Sequence, residues 1–163
     1  MESNRLNQWL TLGANIGVLV GIILLLVELN QTQEIARAEI RNEIYQGLTD
    51  SLDLMDRDTA DIIARLKAGD VISQADAILV DRWAESIFRY WENADYQYLM
   101  GLYDESEYTR QQVIIRQVIT EFFPELLVTH YCMTSGGYSG HFKDMLDQFI
   151  TPDMCDRYKG FAI

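Results

Sequence analysis

Residues 9–29 read WLTLGANIGVLVGIILLLVEL, and across these 21 positions the only strongly polar side chains are Asn15 and Glu28. A helix rises about 1.5 Å per residue, so the run matches the roughly 30 Å hydrocarbon layer of a bilayer. Glu28 lies near one end, where its carboxylate reaches the interface, and Trp9 suits the aromatic belt at the other. A cleaved signal peptide fits less well. The preceding segment offers only Arg5, the apolar run is long, and no small-x-small site follows, the chain continuing Glu28-Leu29-Asn30-Gln31-Thr32. A buried core helix is disfavoured by the length of the run. The run predicts an uncleaved transmembrane anchor, with the lipid bilayer as its surroundings.

Gly13, Gly17 and Gly21 recur every four residues inside this run, as two overlapping GxxxG motifs. Four residues turn a helix by about 400°, so the three glycines form one narrow stripe against which another backbone can pack closely. Glu28 falls within about 20° of Gly17 and Gly21 on the same wheel, while Thr11, Asn15 and Ile22 fall on the opposite side. An Asn in a membrane seeks a hydrogen-bond partner. Two different adhesive faces suit head-to-tail packing, which closes rings. Gly13, Asn15, Gly17, Gly21 and Glu28 are therefore the expected helix-packing interface, either between copies of this chain or against a larger membrane complex.

The chain has 163 residues and a formal net charge of −12. Only Glu2, Glu28 and Arg5 are charged in the first 29, so nearly all of that excess belongs to the remainder. So acidic a domain argues against nucleic acid as a partner and against broad docking on anionic lipid. The two cysteines, Cys132 and Cys155, are too few for a disulfide scaffold. They can pair if the domain faces an oxidising compartment; free buried thiols in a reducing one are the favoured expectation, and that in turn favours a cytoplasmic domain. The basic residues flanking the anchor do not decide orientation, since Arg5 stands on one side and Arg37 and Arg41 on the other.

Beyond the anchor the pattern is helical. Ile40, Ile44, Leu48, Leu52 and Met55 form a stripe at spacings of four and three, so the transmembrane helix can run straight into residues 34–55, with Gly47 as the first breaker. Asp58 or Thr59 suits the cap of a short helix through Leu66, and Ser73 with Asp76 has the pattern of a capping box. The helix opened there buries Trp83, Ile87, Trp91, Ala94 and Tyr98 and stops at Gly101. Further helices are expected from Ser106 to before Pro124, from Pro124 toward Met133, and over 142–150, with a last turn opened by Thr151-Pro152. No segment alternates as a strand. The expected fold class is all-α: a single N-terminal transmembrane helix continuing into a small helical bundle. Residues 1–33 are the anchor and its flanks, and 34–163 are the acidic soluble domain.

Seven aromatics lie between Phe88 and Tyr108. Most have core spacing, and Tyr96, Tyr103 and Tyr108, off the main face, form the expected partner surface. His130, Cys132, His141 and Cys155 have no regular ligand spacing, so no zinc site and no other metal is expected. Gly137-Tyr138-Ser139-Gly140-His141 has His141 where a nucleophile elbow needs glycine, and reads as a turn. No catalytic residue and no cofactor is expected.

The opening Leu6-Asn7-Gln8-Trp9-Leu10, the exit Val27 to Thr32, and the central stretches Arg89-Tyr90-Trp91-Glu92-Asn93 and Gly101-Leu102-Tyr103-Asp104-Glu105 resemble a widespread group of uncharacterised small bacterial inner-membrane proteins. The group has one N-terminal membrane helix, a polar exit and a helical domain of similar length. The resemblance implies that architecture and a bacterial inner membrane; it implies no activity, and it stops near Thr129. Many members place an arginine at the helix exit, where this chain has Glu28, Asn30 and Gln31. Three functions follow as expectations: a non-enzymatic, self-associating membrane protein, an accessory subunit of a larger membrane complex, or a membrane-tethered enzyme or ligand sensor with a pocket near residues 96–108.

Overall fold

A computed structural model describes residues 2–158, and the side chains from Asn7 onward. The side chain of Arg5, one of the charges flanking the apolar run, lies outside those described. Every regular element among the described residues is helical. The chain divides into two compact units, Met1–Glu39 and Ile40–Ile163, with the boundary inside the first helix, α1 (Glu2–Asp53).

The first unit is a single helix. Its apolar side chains are exposed from Trp9 to Leu29, and its most apolar window has a mean hydropathy of 2.5 with none of it buried. A helix this long and apolar can cross a membrane. Thr11 returns its hydroxyl to the Asn7 carbonyl at 2.8 Å, so it adds no unpaired polar group to the run.

The second unit is a bundle around α3 (Gln74–Leu99), which packs against α2 (Arg57–Lys67), α4 (Glu105–Gln117), α5 (Pro124–Thr134) and α6 (Gly140–Leu146); α7 (Pro152–Tyr158) packs on α5. Helix boundaries follow local chemistry. Asp56 caps α2 by accepting from the Thr59 amide at 2.8 Å, two or three residues earlier than the expected cap at Asp58 or Thr59. Ser73 and Asp76 form the expected capping box on α3. Asp104 caps α4 through the amides of Ser106 and Glu107. Helix α3 ends with Gly101 at φ +71°, where the Leu102 amide reaches back to Gln97 and the Gly101 amide to Tyr98. That left-handed turn is inexpensive only without a Cβ.

Two boundaries differ from expectation. Gly47 does not break α1; a Cβ there would lie 3.3 Å from Tyr90 Cδ2, so the glycine lets α1 pass close to α3. Helix α6 ends at Leu146 rather than at 150. The approach to Pro124 also departs from plain α-helix. Residues 118–122 widen into a π turn, and the Phe123 amide reaches back to Val118 at 3.0 Å. Lys67 closes this corner by donating to the Phe122 carbonyl at 2.5 Å, with its ammonium 4.9 Å from the Phe123 ring centre.

Phe88 stands at the centre of the core, fully buried. Its ring stacks near His130, Tyr131 and Tyr138 at centroid distances of 5.4, 6.1 and 5.5 Å, and meets Trp91 edge-on at 5.3 Å. Val80, Ala84, Leu127 and Phe142 complete this layer with no exposed surface. Tyr98, expected in the buried face, is half-buried and stacks on Tyr108 at 4.0 Å.

Candidate functional site

Cys132 and Cys155 form a disulfide joining α5 to α7. This corrects the expectation of free thiols. The pairing depends on α7 folding back over α5, which nothing in the local sequence encodes. It also removes both sulfurs as thiolate ligands, leaving the histidines to other partners.

Those partners are carboxylates and phenols. His130 is buried, with Nδ1 2.8 Å from Asp81 Oδ1 and Nε2 3.0 Å from Glu85 Oε2 and 3.2 Å from the Tyr138 hydroxyl. Glu85 is also held by Arg89 at 2.7 Å. Its carboxyl stays below its ordinary range: burial works against the charge, but Arg89 and His130 outweigh it. His141 Nδ1 lies 2.9 and 3.0 Å from the two oxygens of Asp95. Asp95 is only 1% exposed and also accepts the Tyr108 hydroxyl proton. Burial, and then the hydrogen bond to Asp95, push the Tyr108 phenol far up, so it remains a donor at neutral pH.

The sequence-derived sites fall in separate places. Gly13, Gly17 and Gly21 lie on the exposed helix of the first unit, and a Cβ on any of them would meet nothing within 4 Å. Asn15 and Glu28 are exposed on the same helix. Of the three tyrosines expected at the surface, Tyr96 is exposed and Tyr103 half-buried, but Tyr108 is buried against Tyr98 and Asp95. Tyr108 lies three residues before Gln111 and seven before Ile115, on the inward face of α4, so the helical period withdraws it from the surface.

A cavity of about 310 Å³ opens between the last turns of α1, the middle of α3 and one face of α4 from Glu107 to Ile114. Trp91 and Ile44 supply apolar wall, and Tyr90 and Tyr103 line it with phenols. Burial, with Tyr103 nearby, pushes Tyr90 up to about 12. Burial also raises Tyr103; Glu107 adds to this, while Arg41 and Arg110 oppose it. Arg41 pairs with Glu107 at 3.1 Å. Gln111 lines the same cavity and is 7% exposed, and neither of its amide atoms has a hydrogen-bond partner. Buried polar atoms are rarely left so. Trp83 Nε1 shares that condition, but Trp83 lines none of the cavities described and packs edge-on against Phe123 at 5.2 Å.

Asp95 and Gln111 were not singled out from the sequence, and His130 was weighed there only as a metal ligand. The signal for Asp95 is present: it follows Trp91 by four residues, so a carboxylate falls on the apolar stripe and must find donors. Gln111 precedes Ile115 by the same interval. No protein-family model, no curated protein and no solved structure matches this chain.

Proposed function

We propose that the chain is a self-associating, single-pass membrane protein without enzymatic activity, whose anchor packs through the stripe of Gly13, Gly17 and Gly21. The supporting observation is that this stripe is bare: among the described residues nothing lies within 4 Å of a Cβ placed on any of the three glycines. In lipid no hydrophobic effect drives helices together, so close backbone approach over glycine is a main source of association. Asn15, on the opposite face, supplies a second contact for the next copy, and two unlike faces suit a ring.

We further propose that the anchor lies in a bacterial inner membrane with the helical domain outside the cytoplasm. The Cys132–Cys155 disulfide supports this side, because such bonds persist in oxidising compartments and are rare in the cytosol. The basis for a cytoplasmic domain, free thiols, falls with the pairing.

The test is the mass of the particle extracted in mild detergent, with Gly17→Leu beside the parent. A discrete multiple of 18.8 kDa that dissociates in the variant is the expected result. A monomer overturns self-association. A particle containing other chains makes the protein an accessory subunit of a larger membrane complex, using the same helix faces.

A further inference from the structure

We propose that the cavity between α1, α3 and α4 binds a small carboxylate with an apolar, ring-sized body and an amide edge. The cavity, about 310 Å³, reaches the range of small-molecule sites, about 300–1,000 Å³. Its wall is mostly apolar and aromatic, with polar groups at a few points, as such sites require.

The charges at the cavity select the sign of the ligand. Two guanidiniums, Arg41 and Arg110, line it against one carboxylate, Glu107, in a chain of net charge −12. Arg41 is occupied by Glu107. Arg110 is exposed, and no carboxylate among the described residues is within ion-pair distance of it. A guanidinium offers a planar fork that matches a carboxylate. Tyr90 and Tyr103, neutral at physiological pH, add hydroxyl donors beside it.

The amide of Gln111 selects the rest. It carries both a donor and an acceptor, both unpaired and both shielded from water. It has no protein partner to give up when it turns toward a bound molecule. A secondary amide in the ligand answers both atoms at once. A ring or branched chain beside that amide fills the space against Trp91 and Ile44. An N-acylated, apolar amino acid joins all three features in one small molecule. This inference is independent of self-association, since every lining residue lies in the second unit.

The probe is N-acetyl-L-phenylalanine, titrated into the full chain carrying Trp9→Phe and Trp83→Phe in detergent micelles, so that tryptophan fluorescence reports on Trp91. The comparison ligands are N-acetyl-L-phenylalaninamide, which lacks the carboxylate, and choline, which carries the opposite charge. The acid is expected to saturate, with the amide about tenfold weaker, since a hydrogen bond to a charged group is worth at least that factor. Arg110→Gln is expected to abolish the preference for the acid. Gln111→Met, close in shape, is expected to weaken both ligands about tenfold while the fold persists. No saturation, equal binding of acid and amide, tighter binding of choline, or binding untouched by both substitutions would each overturn the proposal.

Discussion

His141 and Asp95 are 46 residues apart in sequence and hydrogen-bonded at 2.9 Å in the fold. With the Tyr108 hydroxyl, His141 is what makes a carboxylate tolerable at a position only 1% exposed. A buried charge left without partners is among the most destabilising local changes. Tyr108→Phe removes the buried donor and is expected to cost about 2 kcal/mol, the usual worth of a hydrogen bond to a charged group. His141→Ala, at a half-exposed residue, is expected to cost less, about 1 kcal/mol. Urea unfolding of both variants and of the double variant checks this. A double variant no worse than Tyr108→Phe alone would falsify the picture of two donors sharing one carboxylate.

The disulfide closes a sequence separation of 23 residues. A loop of that size is expected to contribute about 3 kcal/mol by restricting the unfolded chain. Unfolding with and without dithiothreitol, with Cys132→Ser/Cys155→Ser as the non-reducible reference, measures it. Mass spectrometry of the protein alkylated without reduction, straight from membranes, tests the bond itself; two alkylated cysteines per chain would remove it.

Helix caps give the domain an acid-sensitive component. The Thr59 amide and hydroxyl hold the Asp56 carboxyl below its ordinary value of 3.8, and the Ser106 hydroxyl and amide do the same for Asp104. A carboxyl lowered on folding contributes stability above its unfolded value. That contribution is lost as pH falls through the folded value. Stability is therefore expected to decline as pH drops below about 4. Asn caps as well as Asp but does not titrate. The Asp56→Asn/Asp104→Asn variant should lie near the parent at neutral pH and decline less steeply in acid. Parallel curves from pH 7 to pH 2 would assign the acid response to other groups.

Gln111 carries an unpaired amide in a buried position. Replacing it by Met removes that desolvation cost without opening a void. The expected gain is about 1–2 kcal/mol in unfolding free energy. Thermal and urea unfolding of Gln111→Met read it directly. A loss of stability instead would mean that the amide has partners in solution, such as bound water.

Much of the fold was legible because its signals are local. The apolar run through residues 9–29 defines a membrane-length helix from composition and length alone. Ser73 with Asp76, and the left-handed turn at Gly101, act over a few residues, so the limits of α3 follow from its own ends. Gly47 misled because its lack of a side chain is used between helices rather than within one: the atom it accommodates belongs to Tyr90. Tyr108 misled because only the orientation of α4 decides which side of it faces inward.

What the sequence by itself determined is the helical class, an apolar helix of membrane-spanning length that carries three glycines at intervals of four, and the acidic character of the domain, since periodicity, length and charge are properties of neighbouring residues. Tertiary structure alone decided which distant groups meet: Cys132 with Cys155, Asp95 with His141 and Tyr108, and Gln111 with a cavity walled by three helices. These pairings depend on how helix faces pack. Many packings satisfy the same apolar stripes, and the side chains that choose among them lie tens of residues apart.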